Sequence, residues 1–145
     1  MLDLPIAIGE SASFTKTVAE CDIYGFAGLT GDFAAPHTNE EFMKNSQYGQ
    51  RIAHGALVVG FMSTASALLG NRMLEGRDDL TAVSLGYDRV RFVAPVLIGD
   101  TITVTYEVKE LETERQRSRS AVTATNQRGE TVSVAEHIMK WLVNP

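Results

Sequence analysis

Cysteine is almost absent from this sequence. Its one example, Cys21, cannot form an internal bridge, and a reducing cytoplasm is the expected home. Cationic charge is also short. Thirteen Lys and Arg stand against 18 Asp and Glu, a net charge of −5. A chain that neutralises phosphates carries the opposite balance, so nucleic acid is not an expected partner. The start, Met1-Leu-Asp-Leu-Pro-Ile6, lacks the basic n-region and apolar core of a secretory signal. No membrane partner is expected either. The one stretch without formal charge, Ile52 to Asn71, is interrupted by His54, Ser63, Thr64, Ser66, Gly55 and Gly60, which suits a helix buried in protein. Repeats, low-complexity tracts, long linkers, Gly-rich phosphate loops and a GxSxG elbow are all missing.

What remains is ordinary globular material: 145 residues, 44% hydrophobic and 21% charged, enough for one domain with a core. The first half reads as helical and the second as strand. A strand at about 11–16 precedes a capping box, Thr17-Val-Ala-Glu20, which predicts a helix over 18–29 with Cys21, Tyr24 and Leu29 buried. A second box, Thr38-Asn-Glu-Glu41, predicts a short helix near 39–45. The long segment from His54-Gly55 to about Leu69 is apolar all round and reads as a fully buried helix. Period-two alternation then marks strands at 83–93, 101–108, 118–125 and 131–142, with Asn126-Gln-Arg-Gly129 as a hairpin turn. These elements imply an α+β design, an antiparallel β-sheet wrapped around a long central helix.

Asp32 and His37 are the leading chemical candidates. Both lie in the loop Thr30-Gly-Asp-Phe-Ala-Ala-Pro-His37, between the two expected caps. Imidazole exchanges protons near neutral pH and a carboxylate orients water, the combination that acid–base work on a C–OH or C–H bond needs. The spacing equally suits a Gly-Asp turn followed by a helix-capping histidine. A metal pair is a third reading, but no further Asp/Glu/Cys/His cluster in the sequence completes a shell, so no metal is expected. His54-Gly55 opens the buried helix, whose orphan amides suit an oxyanion, and Gly55 would let a carbonyl approach; helix packing explains that glycine equally well. His137, in a strand with Met139 and Trp141, reads as structural. Arg115, Arg117, Arg119 and Arg128 read as a solvated strand face.

Three stretches together resemble the MaoC-like dehydratases, the (R)-specific enoyl-CoA hydratases of the hot-dog fold. They are Leu29-Thr-Gly-Asp-Phe-Ala-Ala-Pro-His-Thr-Asn-Glu-Glu-Phe42, Gly49-Gln-Arg-Ile-Ala-His-Gly-Ala-Leu57 and Val90-Arg-Phe-Val-Ala-Pro-Val-Leu-Ile-Gly-Asp-Thr101. Order and spacing agree over nearly the whole chain, and the resemblance implies a single domain over 1–145. It implies that Asp32 and His37 activate the water added to an enoyl thioester, and that the Gly55 amide polarises the thioester carbonyl. Phe33, His54 and Gly60 are further candidates for the substrate pocket. No cofactor is expected, since the substrate carries coenzyme A or phosphopantetheine. A homodimer or a multiple of dimers is the expected assembly. Two positions depart from the family pattern. The usual Gly-Asp-x-Asn-Pro-aliphatic-His has Ala34, Ala35 and Pro36 before the histidine, and Gly60 stands where relatives often carry a Ser facing the site. A hot-dog thioesterase and a non-catalytic acyl-CoA-binding subunit are the alternative readings.

Overall fold

The computed structural model describes residues 3–145. Its elements are β1 (Ser11–Thr17), α1 (Glu20–Thr30), α2 (Ala35–Thr38), α3 (Glu40–Met43), α4 (Gly55–Met73), β2 (Leu80–Phe92), β3 (Thr101–Glu112), β4 (Arg117–Thr125) and β5 (Thr131–Val143). The five strands form one antiparallel sheet in the order β1-β3-β4-β5-β2, curled against α4. This is the hot-dog arrangement. It follows from the strand pattern: Ile102, Val104, Tyr106 and Val108 alternate inward on β3, and Ser118, Ser120, Val122 and Ala124 do so on β4. Val58, Phe61, Met62, Ala65 and Leu69 of α4 meet that face, with Trp141 of β5 fully enclosed. Each large apolar side chain buried there contributes roughly 1.5–3 kcal/mol. The Trp141 indole donates to Ser118 Oγ at 3.1 Å, so its one polar atom is satisfied.

Four local expectations are corrected. The cap of α1 is Ala19, not Thr17; the Ala19 amide donates to the Asp22 carboxylate at 2.8 Å, while Thr17 ends β1 and bonds Thr101 across strands. The core face of α1 carries Ile23 and Ala27, one helical turn apart, and leaves Cys21, Tyr24 and Leu29 outside. The second cap is likewise displaced by one: Asn39 accepts from the Phe42 amide at 3.0 Å, and Thr38 closes α2. Finally, α4 is buried on one side only. Ala56, Gly60, Ser63 and Ala67 lie on its open face, because the sheet covers a single flank of the helix however apolar the rest is.

The connections that hold the site are well tied. Gly31 closes α1 at φ 85°, a left-handed conformation that suits glycine, and donates to Ala27 O at 2.8 Å. Asp100, 4% exposed, accepts from the Leu97 amide and from Gln127, both within 2.9 Å, and faces Arg128. Burial works against its ionisation, but these donors outweigh it and hold the carboxyl below the usual range. The hairpin at Asn126–Gly129 forms as expected, with Asn126 Oδ1 accepting from the Arg128 and Glu130 amides. Arg119 pairs with Glu112 and Glu136, Arg115 with Glu112, and Arg128 with Glu130, so three of the four arginines are engaged by carboxylates.

Candidate active site

The loop after α1 carries Asp32 outward and turns into α2, which carries His37. Two threonine hydroxyls brace it. Thr30 Oγ1 accepts from the Asp32 amide at 3.3 Å, and Thr38 Oγ1 donates to Phe33 O at 2.9 Å. They act where the family pattern has an asparagine and this chain has Ala34. Asp32 Oδ1 accepts from the Ala34 amide at 3.2 Å, which fixes one carboxylate oxygen and leaves the other free.

His37 is oriented by the segment that precedes α4. Its Nδ1 lies 2.7 Å from Ile52 O, and the Ile52 amide donates back to Pro36 O at 3.0 Å. A carbonyl can only accept, so Nδ1 carries the proton and Nε2 keeps its lone pair. His54 Nε2 donates by the same logic to Asp32 O at 2.9 Å. The His54 ring is 2% exposed and stacks on His37 with centroids 3.8 Å apart and planes 26° apart. Among the described residues, its Nδ1 is buried without a partner. His54 therefore backs the site as a wedge between Asp32 and His37, instead of lining the pocket as expected.

One ligand atom each from Asp32, His37 and His54 lies within 4.8 Å of the others. The sequence expectation that no third group joins the Asp–His pair is thereby corrected. The two rings are nearly parallel, however, so their in-plane lone pairs do not converge on one point as a metal shell requires. The geometry suits a water held between a carboxylate and an imidazole.

A cavity of about 260 Å³ opens beside this group, bordered by His37, Tyr48, Gly55, Val58, Phe92 and Val132. Gly55 is the first residue of α4, so its amide is one of the orphan donors of a helix N-terminus. A Cβ at Gly55 would come within 2.5 Å of the Phe92 ring. The space cleared by this glycine is thus taken by Phe92, itself 55% exposed on the cavity rim. Phe33, 59% exposed, and Gly60, open within 4 Å, do not border this cavity. Gly60 lies on the helix face opposite Val58, which is why it misses the wall.

Sequence reasoning overlooked Arg51. Its guanidinium joins Glu40 on α3 and Glu20 on α1 at 2.7 and 2.6 Å, and the Tyr24 hydroxyl at 2.8 Å. Those partners hold it firmly protonated. Arg51 locks both flanking helices onto the strand-like segment whose next carbonyl, Ile52 O, orients His37. The sequence signal was present as an arginine inside Gly49–Leu57 without a matching local acid.

The MaoC like domain family matches residues 5–131, and the chain belongs to that family. It is similar to an (R)-specific enoyl-CoA hydratase of Rhodospirillum rubrum, 43% identical over 108 residues, covering 74% of this chain and 69% of the relative. It is also similar to a 3-hydroxybutyryl-CoA dehydratase of Methylorubrum extorquens, 38% identical, covering 83% and 71%. Among solved structures it resembles the unliganded R-hydratase PhaJ1 of Pseudomonas aeruginosa, at a TM-score of 0.77 and 30% identity, covering 97% and 87%. Among the described residues, no helix is long and apolar enough to cross a membrane.

Proposed function

We propose that the chain is a hydro-lyase that adds water reversibly to a trans-2-enoyl thioester, giving the (R)-3-hydroxyacyl thioester. The observation that carries this reading is the pair of unspent groups on one braced loop, the free oxygen of Asp32 and Nε2 of His37, beside the start of α4. In the forward direction His37 Nε2 takes a proton from a water oriented by Asp32. The hydroxide oxygen bonds the β-carbon, the double-bond electrons move toward the thioester oxygen, and the Gly55 amide stabilises the enolate. The α-carbon then receives a proton back from His37, so one water is consumed and both groups stay on one face. An oxyanion donor of this kind is worth about 3–4 kcal/mol in other enzymes. The carrier is coenzyme A or a phosphopantetheine arm, and the protein needs no cofactor of its own. The cytoplasm suits a chain with one exposed thiol.

The working unit in this reading is a dimer of the chain or a multiple of it. β2 is a sheet edge of 13 residues carrying exposed Val83 and Leu85, a surface that natural sheets cover. Light scattering should report at least twice 15.8 kDa; a fully active monomer would overturn the assembly.

The decisive assay follows enoyl absorbance with a panel of enoyl-CoAs and resolves the product by chiral chromatography. Loss of absorbance with (R) product is expected. Release of free thiol instead makes the protein a thioesterase, and acyl-CoA binding without turnover makes it a non-catalytic subunit. Predominantly (S) product would overturn the one-face geometry.

A further inference from the structure

Asp32 and His37 belong to the loop after α1 and to α2, whereas the Gly55 amide belongs to the start of α4. A reaction that uses all three needs the two segments held at one spacing. They meet at His54. Its main chain is anchored on both sides: the Ala53 amide donates to Val96 O at 2.8 Å, and the His54 carbonyl accepts from the Leu57 amide at 3.1 Å as α4 begins. The Gly55 N–H sits on the planar peptide that joins it to His54, so anchoring His54 fixes where that amide points.

The His54 side chain then holds the loop in two different ways. In the plane of the ring, Nε2 donates to Asp32 O at 2.9 Å. Across the face of the ring lies His37, with centroids 3.8 Å apart. Phe26 of α1 packs on the same ring at 4.7 Å. The His37 imidazole is thus fixed at its edge by Ile52 O and on its face by His54. Phenylalanine at this position would supply the face without the donor, and glutamine the donor without the face. Histidine carries a cost for supplying both. Among the described residues its Nδ1 has no partner, and the residue is 2% exposed. A buried nitrogen left unpaired lowers stability, a penalty that an apolar ring would avoid.

We propose that His54 is a positioning residue that sets the Asp32–His37 pair against the Gly55 amide without touching substrate. It does not border the cavity, and its one N–H is committed to a carbonyl, so it takes no part in the proton movement. The inference rests on the hydratase reading for the reaction, and on the two side-chain contacts alone for the coupling.

The test compares wild type, His54→Phe and His54→Gln in crotonyl-CoA hydration, thermal unfolding and amide hydrogen exchange at Asp32, Phe33 and Ala34. His54→Phe loses the donor but also removes the unpartnered nitrogen, so its thermal midpoint should stay within a few degrees of wild type. Its loop amides should exchange about 10-fold faster. Its kcat should fall by about 10-fold or more with KM changed less than about 3-fold, because a misplaced group slows chemistry more than binding. His54→Gln keeps the bond to Asp32 and should keep the slow exchange, yet His37 loses its stacking partner and kcat should again fall by about 10-fold or more. If one variant fails to fold, the other decides alone. Unchanged kcat in a folded variant, or a loss confined to KM, overturns the proposal. If wild type itself shows no turnover, the hydratase reading falls and the exchange rates decide. Faster exchange in His54→Phe but not in His54→Gln would leave the hold of His54 on the loop standing, and equal exchange in all three would overturn it.

Discussion

His37 and His137 are the same side chain in opposite circumstances. His37 gives one ring nitrogen to a backbone carbonyl and keeps the other open beside a cavity. His137 has both nitrogens bonded inside the core. Burial lowers the His137 pKa from 6.5 to about 4, so it stays neutral where the protein works. The contrast separates a histidine with one ring nitrogen left open beside a cavity from one wholly engaged in the architecture, and the difference is made by neighbours alone.

The sharpest way to break the contrast is at the loop. Asp32→Asn keeps the shape and removes the charge; His37→Ala removes the proposed proton carrier. Each should lower kcat by about 10²-fold or more while the thermal midpoint moves little. Asp32 is exposed, so the asparagine leaves no buried defect. Near-normal rates in both folded variants would dissolve the distinction between the two histidines.

The second test moves to the other end. His137→Ala should leave a cavity and orphan the Tyr106 hydroxyl, at a cost of about 2–4 kcal/mol in urea unfolding. Its pH signature is more specific. The unfolded state binds the proton more readily than the folded state, so wild-type stability is retained above pH 6.5 and falls as pH drops toward about 4. Between neutrality and pH 5 this contributes about 2 kcal/mol, and the variant should show a correspondingly flatter profile. An identical pH slope in wild type and variant would contradict the assignment.

Asp100 offers a smaller effect in the same currency. Its depressed pKa means that its contribution is present above the ordinary carboxylate range and is lost as pH falls through the lowered value. Asp100→Ala leaves the Leu97 amide and Gln127 without their acceptor and should cost about 1–3 kcal/mol. Activity per folded molecule should be unchanged, since Asp100 touches none of the site side chains.

These contrasts also explain what the sequence could and could not reveal. Alternation of Thr with Ile102, Val104, Tyr106 and Val108 encodes one buried face directly, so the sheet was legible. Asp32 and His37 were legible because a short loop keeps neighbours in sequence near in space. The His54 wedge was not, because its bond to Asp32 O spans 22 residues and ends on a backbone atom, which no residue pattern records. Phe92 was missed for a related reason: its contact with Gly55 depends on strand register. The burial of α1 was misjudged because Cys21, Tyr24 and Leu29 lie off the face that Ile23 and Ala27 share, successive residues being about 100° apart around a helix.

The finest test concerns how the architecture passes rigidity to the loop. Arg51 has a side chain only 13% exposed, and its fork spans acids on two helices. Arg51→Met removes three polar contacts but keeps much of the apolar stem. Partly exposed ion pairs are individually worth about 1 kcal/mol or less, so the stability loss should stay near 1–2 kcal/mol. The next residue supplies the carbonyl that fixes His37, and loosening it should lower kcat a few-fold. Arg51→Lys restores the charge without the fork, and a single ammonium cannot reach Glu20, Glu40 and Tyr24 in the same geometry. It should therefore recover part of the stability and little of the rate. If lysine restored both fully, simple charge would be sufficient, and the bridge from Arg51 through Ile52 to His37 would carry no positional information.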